Sequence, residues 1–130
     1  MARCLPVFSV LLGVLFISAC SSSSSSSSPA IEGYLEALVA KDTIGAVNRA
    51  CLAWEENARA EGSSFEAVEA RLELIACSEI GEQNDFKIVA CEGSIIANYG
   101  GEDQDIDLAD RNYLAIFEDN EWKMCGYVSE

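Results

Sequence analysis

The sequence predicts an α+β fold for residues 29–130, with helices first and an antiparallel sheet after them. Two observations carry this. Up to about Ala60 the apolar residues recur three or four apart, which is the spacing of one helix face; after Ala70 they recur every second residue, which is one face of a strand. A third supports them. The alternating segments are joined by short, turn-rich connections, which suit strands that pair with their sequence neighbours in a meander. Helices on one side and such a sheet on the other form two layers around one core.

Pro29 opens the first helix, where a missing N–H costs nothing, and Ile31, Tyr34, Leu35 and Leu38 share its inner face. Gly33 weakens it slightly. Lys41-Asp42-Thr43 is a break, with Asp42 or Thr43 capping the next helix. That second helix is expected over residues 44–60. Its stripe of Ile44, Val47, Cys51, Trp54 and Ala58 points to the core, while Glu55, Glu56, Arg59 and Glu61 face water. Gly62 is expected to stop it, and Ser63 with Glu66 forms a capping box for a short turn through Val68.

Four strands are expected next. Leu72, Leu74 and Ala76 face inward, opposed by Arg71, Glu73, Ile75 and Cys77. Residues 80–85 make a turn. Phe86, Ile88 and Ala90 then alternate with Lys87, Val89 and Cys91 in a run that continues to Tyr99. Gly100-Gly101 with Glu102-Asp103 is the second turn. Ile106, Leu108, Leu114 and Ile116 share one parity, opposed by Arg111, Tyr113 and Phe117. Asp119-Asn120 turns the chain into a last strand from Trp122 to Val128.

Ahead of this domain, Arg3 precedes a mostly apolar run from Leu5 to Ile17, closed by small residues, as in a secretory signal. The run is shorter than the about 20 residues a membrane span needs. It ends Leu15-Phe16-Ile17-Ser18-Ala19-Cys20, which resembles the bacterial lipoprotein lipobox. The resemblance implies a signal peptide over residues 1–19 and lipidation of Cys20, with the membrane as partner through the lipid. Residues 21–28 are serines, a flexible tether with nothing to bury. The implied location is the extracytoplasmic side of the bacterial cell envelope, on the outer membrane if the cell has two membranes, because Ser21 follows the lipidated Cys.

About 100 residues remain for the domain, enough for one core. Without Arg3, seven basic residues stand against 22 acidic ones, net −15. A chain this acidic repels nucleic acid and anionic headgroups and stays soluble. Cys51, Cys77, Cys91 and Cys125 are an even set in an exported domain, which implies two disulfides. Cys77 and Cys91 lie on consecutive strands at a register that nearly opposes them, on the outer face with Arg71, Glu73 and Lys87, so a cross-strand bond joins them. Elimination then pairs Cys51 with Cys125.

Helices followed by a meander that ends in Glu121-Trp122-Lys123-Met124-Cys125-Gly126-Tyr127 resemble the nuclear transport factor 2-like, or cystatin-like, superfamily. The resemblance covers about residues 29–127. It implies a cone in which a curved four-stranded sheet curls round the helices and leaves a pocket. Enzymes of that superfamily commonly use an Asp–His pair, and this chain contains no His, so that set does not carry over.

Asp103, Asp105 and Asp107 would share one strand face. A calcium loop would need Gly and Glu where Leu108 and Leu114 stand, so a solvated strand edge is expected and no metal. Zinc lacks both His and CxxC spacing. Asp110 and Asn112 interrupt an apolar parity and, with no bulge, would point into a pocket, where a buried carboxylate could act as a base; a bulge, or a bond to Arg111 or a helix end, is the favoured reading of them. Tyr34, Trp54 and Trp122 would line the same space or simply pack the core. The expectation is a non-enzymatic binding or interaction domain without cofactors or a catalytic residue, taking an envelope protein or a small-molecule ligand. The alternative is a small pocket enzyme using an in-pocket carboxylate.

Overall fold

A computed structural model describes residues 26–128. The expected signal peptide, the expected lipidation at Cys20 and the expected tether up to Ser25 lie outside the described residues. The domain is α+β. Helices α1 (Ser28–Val39), α2 (Thr43–Asn48) and α3 (Glu55–Phe65) precede strands β1 (Glu69–Gln83), β2 (Phe86–Tyr99), β3 (Glu102–Asp107), β4 (Asn112–Glu118) and β5 (Glu121–Val128). No described helix is long and apolar enough to cross a membrane.

The sheet has five strands rather than the expected four. The long β2 pairs with β1 along one edge and divides its other edge: residues 94–99 pair with β3 and residues 86–89 with β4. A 3-10 turn, Leu108–Asp110, carries the chain from β3 to β4. Its N-cap is Asp107, whose carboxylate accepts the Ala109 N–H. One meander strand has become two because this turn resets the phase. Tyr113 and Ala115 face the core, whereas Leu114 and Ile116, expected inside, are only half-buried.

A bulge reverses a second parity. Glu73 faces Ser94 and Ala76 faces Glu92, so Leu74 and Ile75 together oppose Gly93. Leu74 takes φ 53° and is 92% exposed, although it was expected inside. Gly93 takes φ 97°, and a Cβ there would stand 2.5 Å from the Glu73 carbonyl oxygen, so no side chain fits. Beyond the bulge Ile75 and Cys77 of β1 turn toward the core. β2 keeps one alternation throughout, with Val89, Cys91, Ile95 and Ala97 buried, opposite to the parity expected inside, so the Cys77–Cys91 disulfide lies on the helix side, not on the outer face. The two cysteines are direct cross-strand partners with Cα atoms 4.1 Å apart. The strand also runs on to Gln83, leaving only Asn84-Asp85 as the turn.

The helix expected over residues 44–60 is interrupted. After Asn48 the backbone lies along β5. Met124 N–H donates to Arg49 O and Cys51 N–H to Met124 O, both at 2.8 Å, forming a parallel bridge at Ala50. These bonds satisfy the edge of β5, and the Cys51–Cys125 disulfide fixes them. The rotation this imposes leaves Ile44 76% exposed, while Cys51 and Ala58 stay in the core. Helix α3 then passes through Gly62 instead of ending there. Gly62 faces Thr43, and a Cβ would meet that side chain at 2.8 Å, so the glycine sets the close approach of α2 and α3.

The last serines belong to the domain. Ser27 is fully buried, Ser28 starts α1, and the Glu79 carboxylate accepts both the N–H and the hydroxyl of Ser27 at 2.7 Å. These bonds hold the Glu79 carboxyl below its ordinary range. The Glu32 carboxylate accepts the Cys77 N–H at 3.0 Å, so α1 fastens the outer edge of β1 at two points.

Candidate functional site

The core fills one end of the space between helices and sheet. At the other end a cavity of about 270 Å³ remains between α1, α3 and strands β2 to β5. Leu35, Leu38, Phe65, Ile95 and Leu108 give it apolar walls, and Glu61, Asp107, Arg111, Tyr113 and Tyr127 bring polar groups to it.

Glu61 is the focus. It stands one turn before the C-terminal end of α3, where the continuation through Gly62 turns it toward the sheet. Its Oε2 accepts two phenol hydroxyls, Tyr34 at 3.0 Å from α1 and Tyr127 at 2.7 Å from β5. Bonds from neutral donors to a carboxylate are stronger than neutral pairs, so three elements are locked at one oxygen. Burial, and then the Glu61 charge, push the Tyr34 and Tyr127 hydroxyls far above the ordinary tyrosine range. Burial also raises Tyr113, against the pull of Arg111. All three remain protonated donors at any physiological pH.

The tyrosine rings are packed together. Tyr127 meets Tyr113 edge-on at 5.4 Å and Trp54 at 5.5 Å. The buried Trp54 indole N–H interacts weakly with the Tyr34 hydroxyl and has no well-directed hydrogen bond. The Arg111 guanidinium lies over the Tyr127 ring, 4.1 Å from its centre. None of the ion pairs among the described residues joins Arg111 to Glu61 or Asp107. One tyrosine therefore carries the anion at its hydroxyl and the cation on its face.

Of the residues expected in a pocket, Tyr34 and Trp54 join the ring cluster beside the cavity but do not line it. Asp110 does neither: it is exposed on the 3-10 turn, so it is corrected from pocket carboxylate to surface residue. Asn112 starts β4 opposite Val128 and does not line the cavity. Trp122 packs against Phe117 at 5.4 Å, in a separate cleft with Pro29, Ala30 and Arg49. Glu61 was missed because it fell on the face assigned to water, Arg111 and Tyr113 because they oppose the apolar parity of their strand, and Tyr127 because it entered only as part of the last strand. For Glu61 the available signal was Gly62, which need not end a helix when a neighbouring helix packs on it.

The four described cysteines are in disulfides, and the chain has no His. Among the described residues no group of three or more His, Cys, Asp or Glu side chains could hold a metal ion. The exposed acidic strand β3 uses Asp103 to accept from Asn98 and to face Arg71 at 3.7 Å. Compared with known proteins, the chain matches no family model, no curated protein and no solved structure.

Proposed function

We propose that the chain is a non-catalytic binding module of the bacterial cell envelope, held outside the cytoplasm by lipid on Cys20, with the Glu61 cavity as its ligand site. The observation that carries the binding half is the cavity itself: apolar walls around a carboxylate and a guanidinium that do not pair with each other. The anchoring half rests on the lipobox-like Ile17-Ser18-Ala19-Cys20, and two disulfides suit an oxidising compartment. We read the helix layer on an open, bulged sheet as a cystatin-like cone whose wide end is the cavity. Ser27, clamped to Glu79, is where the tether would hand over to the domain.

Mass spectrometry of the membrane fraction tests the anchor. A chain starting at acylated Cys20, released to the soluble fraction by Cys20→Ala, is the expected result. An unmodified soluble chain starting elsewhere contradicts it.

A further inference from the structure

We infer that the cavity takes a small zwitterion with an apolar body, of the chemical class of an apolar α-amino acid. The inference rests on the binding-module reading above and adds the ligand class. Three features of the cavity carry it together.

The first is the separation of charge. A carboxylate and a guanidinium in one partly dry cavity would ordinarily gain by meeting. Here Tyr127 keeps them apart, with Glu61 on its hydroxyl and Arg111 over its ring. Both tyrosine donors land on Oε2 of Glu61, and among the described residues Oε1 has no hydrogen-bond donor. A ligand ammonium therefore has an acceptor at Oε1, and a ligand carboxylate has the planar donor fork of Arg111.

The second feature is discrimination. A ligand with only a positive charge meets Arg111, and one with only a negative charge meets Glu61 and Asp107. The excess of acidic residues disfavours anions and favours cations at long range, so a zwitterion is separated from a lone cation by the bond of its carboxylate to Arg111. A molecule carrying both charges avoids each repulsion and makes both charge-assisted bonds.

The third is size and wall chemistry. About 270 Å³ is at the small end for ligand sites, which suits one amino acid better than a polymer. Leu35, Leu38, Phe65, Ile95 and Leu108 form a continuous set of apolar walls beside the two charged groups, which suits a ligand with an apolar body.

Calorimetric titration of the protein, purified from cells expressing the full chain, tests this with L-phenylalanine, phenethylammonium and 3-phenylpropanoate. The last two each lack one charge. L-Phenylalanine should bind at least about tenfold tighter than either. Glu61→Gln and Arg111→Gln should each reduce its affinity by a similar factor, with the fold retained by circular dichroism. Arg111 is exposed, so its variant reports on the site even if the Glu61 variant unfolds. A singly charged analogue that binds as tightly overturns the ligand class and leaves the binding-module reading standing. Equal affinity in wild type and Arg111→Gln overturns it too. If none of the three gives heat, the inference is overturned, and the lipid anchor is judged separately by the membrane-fraction assay.

Discussion

The two ends of the helix–sheet layer are built on opposite plans. At the closed end Ile31, Ala46, Ala50, Val89, Ala115 and Met124 are buried, and the Cys51–Cys125 bond with the Ala50 bridge fastens the helices to the edge strand. At the open end the same layers are held by phenols on a carboxylate, beside a space that no described side chain fills. Apolar packing and a long covalent loop are efficient ways to stabilise a small domain. A half-buried carboxylate is not, since its desolvation offsets much of what its bonds return. The closed end is thus the main source of stability, and the open end is where the proposed ligand site lies.

Four experiments sharpen or break that contrast. The largest effect should come from the closed end. Replacing Cys51 and Cys125 together by Ser opens a 74-residue loop and should cost about 4–5 kcal/mol in urea unfolding, against about 3 kcal/mol for the 14-residue loop of Cys77–Cys91. If the hairpin bond mattered more, the closed end would not be the main fastening. Gly93→Ala comes next. It forces an L side chain to φ 97° against the Glu73 carbonyl and should cost about 2–4 kcal/mol, with lost amide protection along β1. A near-neutral result would dispose of the bulge and of the inward placement of Cys77.

Tyr127→Phe should be milder, about 1–2 kcal/mol, because one of the two donors on Glu61 remains. A larger loss would make the open end structural after all. The smallest effect is in pH. Tyr34, Tyr113 and Tyr127 have hydroxyls raised by burial, so the folded state keeps their protons longer than the unfolded chain does. Their contribution is fully present below about pH 10, the unfolded tyrosine value, and is lost as pH rises through the folded values. The unfolding temperature should fall above that pH, with most phenolate absorbance appearing only on unfolding. Early titration of all the tyrosines in the folded protein would contradict their burial.

The layer order was legible in the sequence because it needs only the change of period near residue 70. The two disulfide pairs were legible too, as were the turns at Gly100-Gly101 and Asp119-Asn120, where all four residues take positive φ. Facing was not. A bulge adds one residue to β1 and reverses the side chains of that strand beyond it, so Leu74 and Ala76 gave way to Ile75 and Cys77. On β2 the alternation is unbroken, and Val89 and Cys91 share the inward parity of Ile95 and Ala97, opposite to the expected Ile88 and Ala90. The isolated Gly93 within a strand pattern was the readable sign of the bulge. Asp110 failed for a related reason: the 3-10 turn broke the alternation on which its inward direction depended. Glu61 was hidden by a sound local rule, glycine as a helix stop, which packing against Thr43 overrode. Side-chain direction depends on such long-range contacts, and the site is made of side-chain directions.

The contrast between the ends is tested most directly by amide chemical-shift mapping during an L-phenylalanine titration. The account predicts saturable shifts around Leu35, Leu38, Glu61, Ile95 and Tyr127, with the amides of Ile31, Ala50 and Met124 unmoved. Shifts centred instead on the Trp122 cleft with Pro29 and Arg49, or no saturable shift at the open end, would contradict it.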